Sequence, residues 1–73
     1  MQLTDLIKHP YTLDETSDGV MLLFECSLNV RDALHYAKIF VRVHEEYQFV
    51  TYHCGRKTVL IFEKMFPHGQ GIL

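Results

Sequence analysis

Two cysteines and five histidines are the residues of this chain that could carry metal or thiol chemistry. Zinc sites usually pair their ligands as Cys-x-x-Cys or as histidines three or four residues apart on a helix. No two histidines have that spacing, and Cys26 and Cys54 are distant in sequence. The sequence therefore predicts no metal site and no cofactor.

A thiol nucleophile is the second chemistry to consider, because His53 precedes Cys54 directly. Neighbours along a strand point to opposite faces, so these two side chains cannot form an ion pair with each other. Cys26 can still meet His44 or His53 in the fold, which keeps a small thiol-dependent enzyme open as a hypothesis. No catalytic residue is assigned.

The strongest polar pattern is a basic stripe with the spacing i, i+4, i+7 and i+11. The stripe consists of Arg31, His35, Lys38 and Arg42. This spacing places the side chains along one side of a helix. Such a stripe is either a solvated helix surface or a binding surface for an acidic protein or a phosphate backbone. Arg56 and Lys57 add a small basic group in a predicted turn.

A helix over about 30–46 must carry this stripe. Asn29 is typical of an N-cap, and Asp32 occupies the third helical position as in a capping box. The predicted apolar arc consists of Val30, Ala33, Leu34, Tyr36, Ala37, Phe40, Val41, Val43 and His44. Ile39 falls outside that arc, and His44 is expected to be a half-buried core histidine.

Four strands are predicted around this helix, at 11–16, 20–28, 47–54 and 57–64, and they form two hairpins. Gly19 can adopt positive φ in the first turn. The fold class is α+β: a short N-terminal helix, then β-β-α-β-β, with a four-stranded mostly antiparallel sheet against one long amphipathic helix. Residues 1–73 form a single domain, and 65–73 are expected to be a flexible tail.

Both faces of the predicted sheet are apolar. In the segment VMLLFECSL, Met21 and Leu23 alternate with Leu22 and Phe24. Burying a large apolar side chain is worth about 1.5–3 kcal/mol, so a second apolar face favours a cover. Three covers are open: the N-terminal helix with its apolar residues, a second copy of the chain, or a different macromolecule. The apolar residues of that helix are Leu3, Leu6 and Ile7.

Localisation follows from the absence of a signal peptide or of an apolar run near the ~20 residues that span a bilayer. Two unpaired thiols agree with a reducing compartment. The sequence predicts a cytoplasmic protein without membrane contact.

The order of strand, capped D-A-L-x-x-A helix and closing hairpin over roughly 20–62 is similar in organisation to small accessory and inhibitor proteins of phages. That resemblance transfers no functional residue, but it implies a non-enzymatic protein that occupies a surface of a host macromolecular complex. The first hypothesis is therefore a protein-protein interaction module, monomeric or a homodimer. Its predicted partner-binding residues are Met21, Leu23, Arg31, His35, Lys38, Arg42, Arg56 and Lys57.

A nucleic-acid-binding domain is the alternative from another class. It would read the phosphate backbone through the basic residues and stack bases on sheet aromatics.

Overall fold

The computed structural model describes residues 3–65, with side chains from Asp5 onward. Its two layers are a sheet and one long helix, preceded by a helical turn. The elements are α1 (Leu3–Leu6), β1 (Tyr11–Glu15), β2 (Gly19–Phe24), α2 (Val30–Val43), β3 (Tyr47–Cys54) and β4 (Thr58–Lys64).

The sheet has the strand order β1-β2-β4-β3, and every neighbouring pair is antiparallel. The last strand therefore lies between β2 and β3, and α2 connects those two strands across it. This arrangement confirms the predicted four-stranded antiparallel sheet with one long helix. The two edges of the sheet are β1 and β3, and a register shift between Phe49 and Thr51 interrupts β3.

Helix α2 begins at the predicted cap: the Asn29 side chain accepts a hydrogen bond from the Asp32 backbone N–H at 2.8 Å. It ends at Val43, three residues before the expected end. Carboxylates are unfavourable at the negative C-terminus of a helix dipole, which explains why Glu45 and Glu46 lie in a turn instead. His44 is half-buried, as expected, and its ring contacts those of Phe40 and Tyr47.

The core lies between α2 and one face of the sheet. Alternate residues of the two central strands are buried there, and the Phe40 and Phe62 rings meet at 4.3 Å. Core residues from these elements are Val20, Leu22, Phe24, Ala33, Tyr36, Ala37, Phe40, Leu60 and Phe62.

The predicted apolar arc of α2 was wrong at its margins. Val30 and Val43 are exposed, whereas Ile39 is half-buried and packs against the core. Helix and sheet touch over a narrower arc than half a wheel, and the two ends of α2 extend beyond it.

Strand β2 ends at Phe24, not at residue 28 as expected, because a buried side chain of the neighbouring strand holds the following loop. The Thr58 hydroxyl accepts a hydrogen bond from the Leu28 N–H at 2.8 Å and donates one to the Cys26 carbonyl at 3.1 Å. Thr58 is fully buried, and Leu28 belongs to the core. Residues 25–28 therefore bend toward α2.

Gly19, at the start of β2, is required by close approach and not by positive φ. A Cβ at this position would stand 2.0 Å from the backbone oxygen of Phe62. The turn before it is closed by Thr16, whose N–H donates to the Gly19 carbonyl while its hydroxyl accepts from the Gly19 N–H, both at 2.9 Å.

The predicted N-terminal helix is reduced to the single turn α1 among the described residues, since Pro10 disfavours a helical conformation at His9. Of the three covers that the sequence left open for the second face of the sheet, the described part of this N-terminal segment is excluded. Ile7 is buried in the core beside α2, and Nδ1 of His9 lies 2.8 Å from the hydroxyl oxygen of Tyr36 on α2. The segment adds to the layer that α2 already forms.

The predicted flexible tail falls outside the described residues, except for Met65. The Met65 N–H donates to the Glu46 carbonyl at 2.7 Å, which joins the end of β4 to the loop before β3.

Candidate interaction surface

The face of the sheet opposite α2 is covered by no element within residues 3–65. Directly paired residues of an antiparallel sheet share a face, so the strand registers define its composition. We call it the open face. It consists of Thr12, Asp14, Gly19, Met21, Leu23, Gln48, Thr51, His53, Val59, Ile61 and Glu63.

The middle of the open face is apolar. Met21 pairs with Ile61 and Leu23 pairs with Val59 across the two central strands, so the four side chains form a compact square, here called the apolar centre. All four are half-buried although nothing described lies over them, because close neighbours shield one another. They remain partly accessible to a partner.

Polar residues border the apolar centre on both edges. Thr12 and Asp14 of β1 stand on one side, and Thr51 and His53 of β3 stand on the other; all four are exposed. A polar rim around an apolar middle is the usual anatomy of a protein interface.

Two polar pairs, one a salt bridge and one a hydrogen bond, lie at the two ends of the face. Beyond one end of the central strands, Lys57 Nζ lies 3.1 Å from Glu25 Oε1, with both side chains about two-thirds exposed. At the other end, Gln48 Nε2 donates to Glu63 Oε1 at 3.1 Å. Exposed pairs of this kind contribute little to stability, so their value lies in the polar boundary they form.

The basic stripe lies on the other side of the molecule. Arg31, His35, Lys38 and Arg42 are all exposed on α2, as predicted from their spacing. The salt bridge described between Lys57 and Glu25 does not involve the stripe.

The eight predicted partner-binding residues do not form one surface. Met21 and Leu23 lie in the apolar centre, with Lys57 at its end, whereas the stripe lies beyond the core on the outer side of α2. Arg56 is exposed in the turn between β3 and β4. The Thr58 bond to Leu28 brings this turn to the end of the molecule where α2 begins.

Sequence reasoning did not assign Val59 and Ile61 to the surface, although their alternation with core residues was visible. Their importance depends on the adjacency of β2 and β4, and no local signal reports which strands are neighbours. His9 was also missed, because its contact partner Tyr36 is distant in the chain.

Histidine and cysteine chemistry has little geometric support. No group of three or more potential metal ligands occurs in the part of the chain that the structure describes. Both thiols are free; Cys26 is exposed and Cys54 is half-buried. His53 lies on the open face whereas Cys54 faces α2, as their neighbouring positions require.

A surface cleft of about 450 Å³ follows the segment between α1 and β1. Its lining residues are Ile7, Lys8, His9, Pro10 and Tyr11. They all come from one short segment, so the cleft does not gather polar groups from different elements as ligand sites usually do.

No protein-family model matches the chain, and neither the curated proteins nor the solved structures that were compared with it give a match. Among the described helices, none has the length and apolar character that crossing a membrane would need.

Proposed function

We propose that this chain is a non-enzymatic protein-protein interaction module whose principal binding surface is the open face. The observation that carries the proposal is the apolar centre, formed by Met21, Leu23, Val59 and Ile61 on a face without a described cover. Apolar patches of this kind, surrounded by polar residues, mark binding surfaces on small proteins.

The size of the domain strengthens this reasoning. A single core in a chain of 73 residues supplies little stability, roughly 3–5 kcal/mol. Burying the rest of four apolar side chains against a partner would add a substantial fraction of that amount. A function by binding explains why two central strands carry apolar residues on both faces.

The basic stripe offers a second contact for an acidic surface. Because α2 separates it from the open face, the two surfaces can be occupied at the same time. This agrees with an accessory or inhibitor protein of the phage type, which acts in the cytoplasm by occupying part of a host complex. The free thiols Cys26 and Cys54 support that location.

The nucleic-acid alternative was based on two features, the basic residues and the sheet aromatics, and only the first is available on the described surface. The stripe is exposed, but the sheet aromatics Phe24, Phe49 and Phe62 lie on the face that α2 covers. The imidazole of His53 is the one aromatic ring on the described open face, so this face offers no extended platform on which successive bases could stack. Protein recognition therefore explains the described surface better.

The test is affinity capture from the native cells, with the substitution Met21→Asp on the open face. Leu13→Asp is the matched control, because Leu13 is 43% exposed on the opposite face of the same sheet. We expect Met21→Asp to lose the captured protein and Leu13→Asp to retain it, with the circular dichroism of both unchanged.

Two results would contradict the proposal. One is retention of the same partner by a folded Met21→Asp variant. The other is loss of the partner after nuclease treatment, which would instead indicate capture through nucleic acid bound to the stripe. A variant with Arg31, Lys38 and Arg42 changed to glutamate separates the contribution of the stripe from that of the open face.

A further inference from the structure

We propose that the occupant of the open face is a second copy of the chain, packed face to face about a two-fold axis parallel to the strands. This inference rests on the proposed function, namely that the open face is a binding surface, and it identifies the partner. Both α2 helices, with their basic stripes, would then face outward on opposite sides of the dimer.

Pairing through the edges of the sheet is disfavoured. The edge strand β1 has only five residues, and Asp14 and Glu15 are exposed on it. The other edge, β3, is interrupted by its register shift at Val50, which is 52% exposed. Short, charged and bulged edges are devices that prevent a sheet from adding another strand. A second copy therefore meets the sheet through its face.

The apolar centre is complementary to itself. A two-fold axis parallel to the strands, placed between β2 and β4, lays β2 of each copy over β4 of the other. Rotation about this axis leaves the position of each residue along the strand direction unchanged. Because Leu23 and Val59 share one level and Met21 and Ile61 share the next, each residue of β2 faces a residue of β4 in the second copy. Each residue of the apolar centre would then be covered by an apolar residue of the second copy.

The charges of the face follow the same symmetry. Glu25 follows β2 and Lys57 precedes β4, and the axis that superposes these strands places each Glu25 toward Lys57 of the second copy. The existing pair thereby becomes a cluster of four alternating charges.

The edges also avoid repulsion under this axis. It lays β1 over β3, so Asp14 meets the side that carries Thr51 and His53. An axis across the strands would instead stack the two acidic β1 strands on each other, which like-charge repulsion opposes. Aligned packing of two sheets is also one of the two common arrangements.

The available area predicts a reversible dimer. Four strands about 4.8 Å apart and about six residues long give a flat area of roughly 400 Å² per copy. The two copies together would bury roughly 800 Å² of flat area, without the relief of the side chains, which is below the roughly 1,200–2,000 Å² of stable specific interfaces and in the range of weak, transient ones. We expect a monomer–dimer equilibrium that depends on concentration.

Sedimentation velocity of the full chain over a wide concentration range tests the proposal. We expect reversible dimers for the native chain. Leu23→Asp should raise the dimer dissociation constant by about a hundredfold or more, because each copy would bury a carboxylate where it had buried a leucine. The control Leu13→Asp on the other face should leave the constant unchanged.

A charge swap tests the orientation without touching the apolar centre. Glu25→Lys alone and Lys57→Glu alone should each weaken the dimer, and the double variant Glu25→Lys with Lys57→Glu should restore it. In a sample that mixes isotope-labelled and unlabelled chains, intermolecular nuclear Overhauser contacts should join Leu23 to Val59.

The inference is overturned if the full chain is monomeric at every concentration, whether another protein or its own residues 66–73 occupy the face. It is also overturned if Leu23→Asp leaves the dimer intact. A monomeric chain whose captured partner is still lost on Met21→Asp would overturn the dimer and leave the proposed function standing.

Discussion

The Thr58 hydroxyl accepts a hydrogen bond from the backbone N–H of Leu28 at 2.8 Å and thereby joins the centre of the sheet to the start of the helix layer. Its own proton is donated to the Cys26 carbonyl at 3.1 Å. The Thr58 side chain is fully buried and Leu28 is buried as well, so the Leu28 N–H has no water as a substitute partner. One hydroxyl thus determines where β2 stops and where the chain turns toward α2.

Thr58→Val keeps the shape of the side chain and removes both hydrogen bonds. We expect a loss of about 1–3 kcal/mol in the free energy of unfolding, because a buried N–H is left without an acceptor. Urea denaturation at one protein concentration measures the change. The control Thr12→Val, at an exposed position, should stay within about 0.5 kcal/mol of the native chain. If both variants lost the same free energy of unfolding, the Thr58 hydrogen bonds would not be a specific source of stability.

Gly19→Ala places a methyl group against the backbone of β4, whose Phe62 oxygen lies 2.0 Å from the built Cβ position. Backbone cannot rotate away as a side chain can, so the two central strands must separate locally. We expect a destabilisation of about 1–3 kcal/mol, as for an overpacked core. In Gly55→Ala the nearest atom is Nε2 of the His53 ring, at 3.4 Å, and the free energy of unfolding should change far less. If Gly19→Ala were as well tolerated as Gly55→Ala, the close approach of β2 to β4 would be wrong.

Tyr36→Phe removes the hydrogen bond that ties the N-terminal segment to α2, in which His9 Nδ1 and the Tyr36 hydroxyl oxygen lie 2.8 Å apart. We expect a loss of about 0.5–1.5 kcal/mol. Amide exchange should accelerate in residues 5–10 and remain unchanged in β4, since the rings of Tyr36 and Phe24 can still stack. Tyr52→Phe is the control, because the Tyr52 hydroxyl bonds to no described residue. Uniform acceleration over the whole domain would contradict a local anchor.

Asn29→Ala removes the side-chain acceptor from the start of α2, where the Asp32 N–H now donates at 2.8 Å. N-caps of this type contribute about 1 kcal/mol, and we expect a loss of that size in denaturant unfolding. Asn29→Asp preserves an acceptor and adds a charge that the helix N-terminus favours, so it should retain the native stability. Similar losses for both substitutions would rule out capping as the cause.

Local signals in the sequence predicted the elements well. Asn29 marks the start of α2 because a cap acts within one turn, and the alternation in β2 and β4 identifies both faces of each strand. The pairing of β2 with β4 could not be read in the same way, since these strands are far apart in the chain and their adjacency depends on how the whole sheet assembles. For the same reason, the apolar residues of β2 suggested a binding surface while Val59 and Ile61, which complete it, were left out.

Local sequence patterns also did not show on which face of the sheet the N-terminal segment packs. Ile7 could bury its side chain on either face of the sheet, and the hydrophobic effect alone does not distinguish them. In the structure Ile7 is buried on the α2 side, where His9 also contacts the hydroxyl of Tyr36, a residue 27 positions away. Contacts at this sequence distance are not visible in local sequence patterns.

The strand order affects how the chain can fold while it is being synthesised. Strand β4 leaves the ribosome last of the four, yet it lies between β2 and β3, so the sheet cannot be assembled in the order of synthesis. Until Thr58–Lys64 have emerged, the apolar run of β2 has no neighbour on that side, and nascent chains in this condition are prone to aggregate. Completion of the sheet therefore waits for the emergence of β4, and the interval before it is when a chaperone would be of most use.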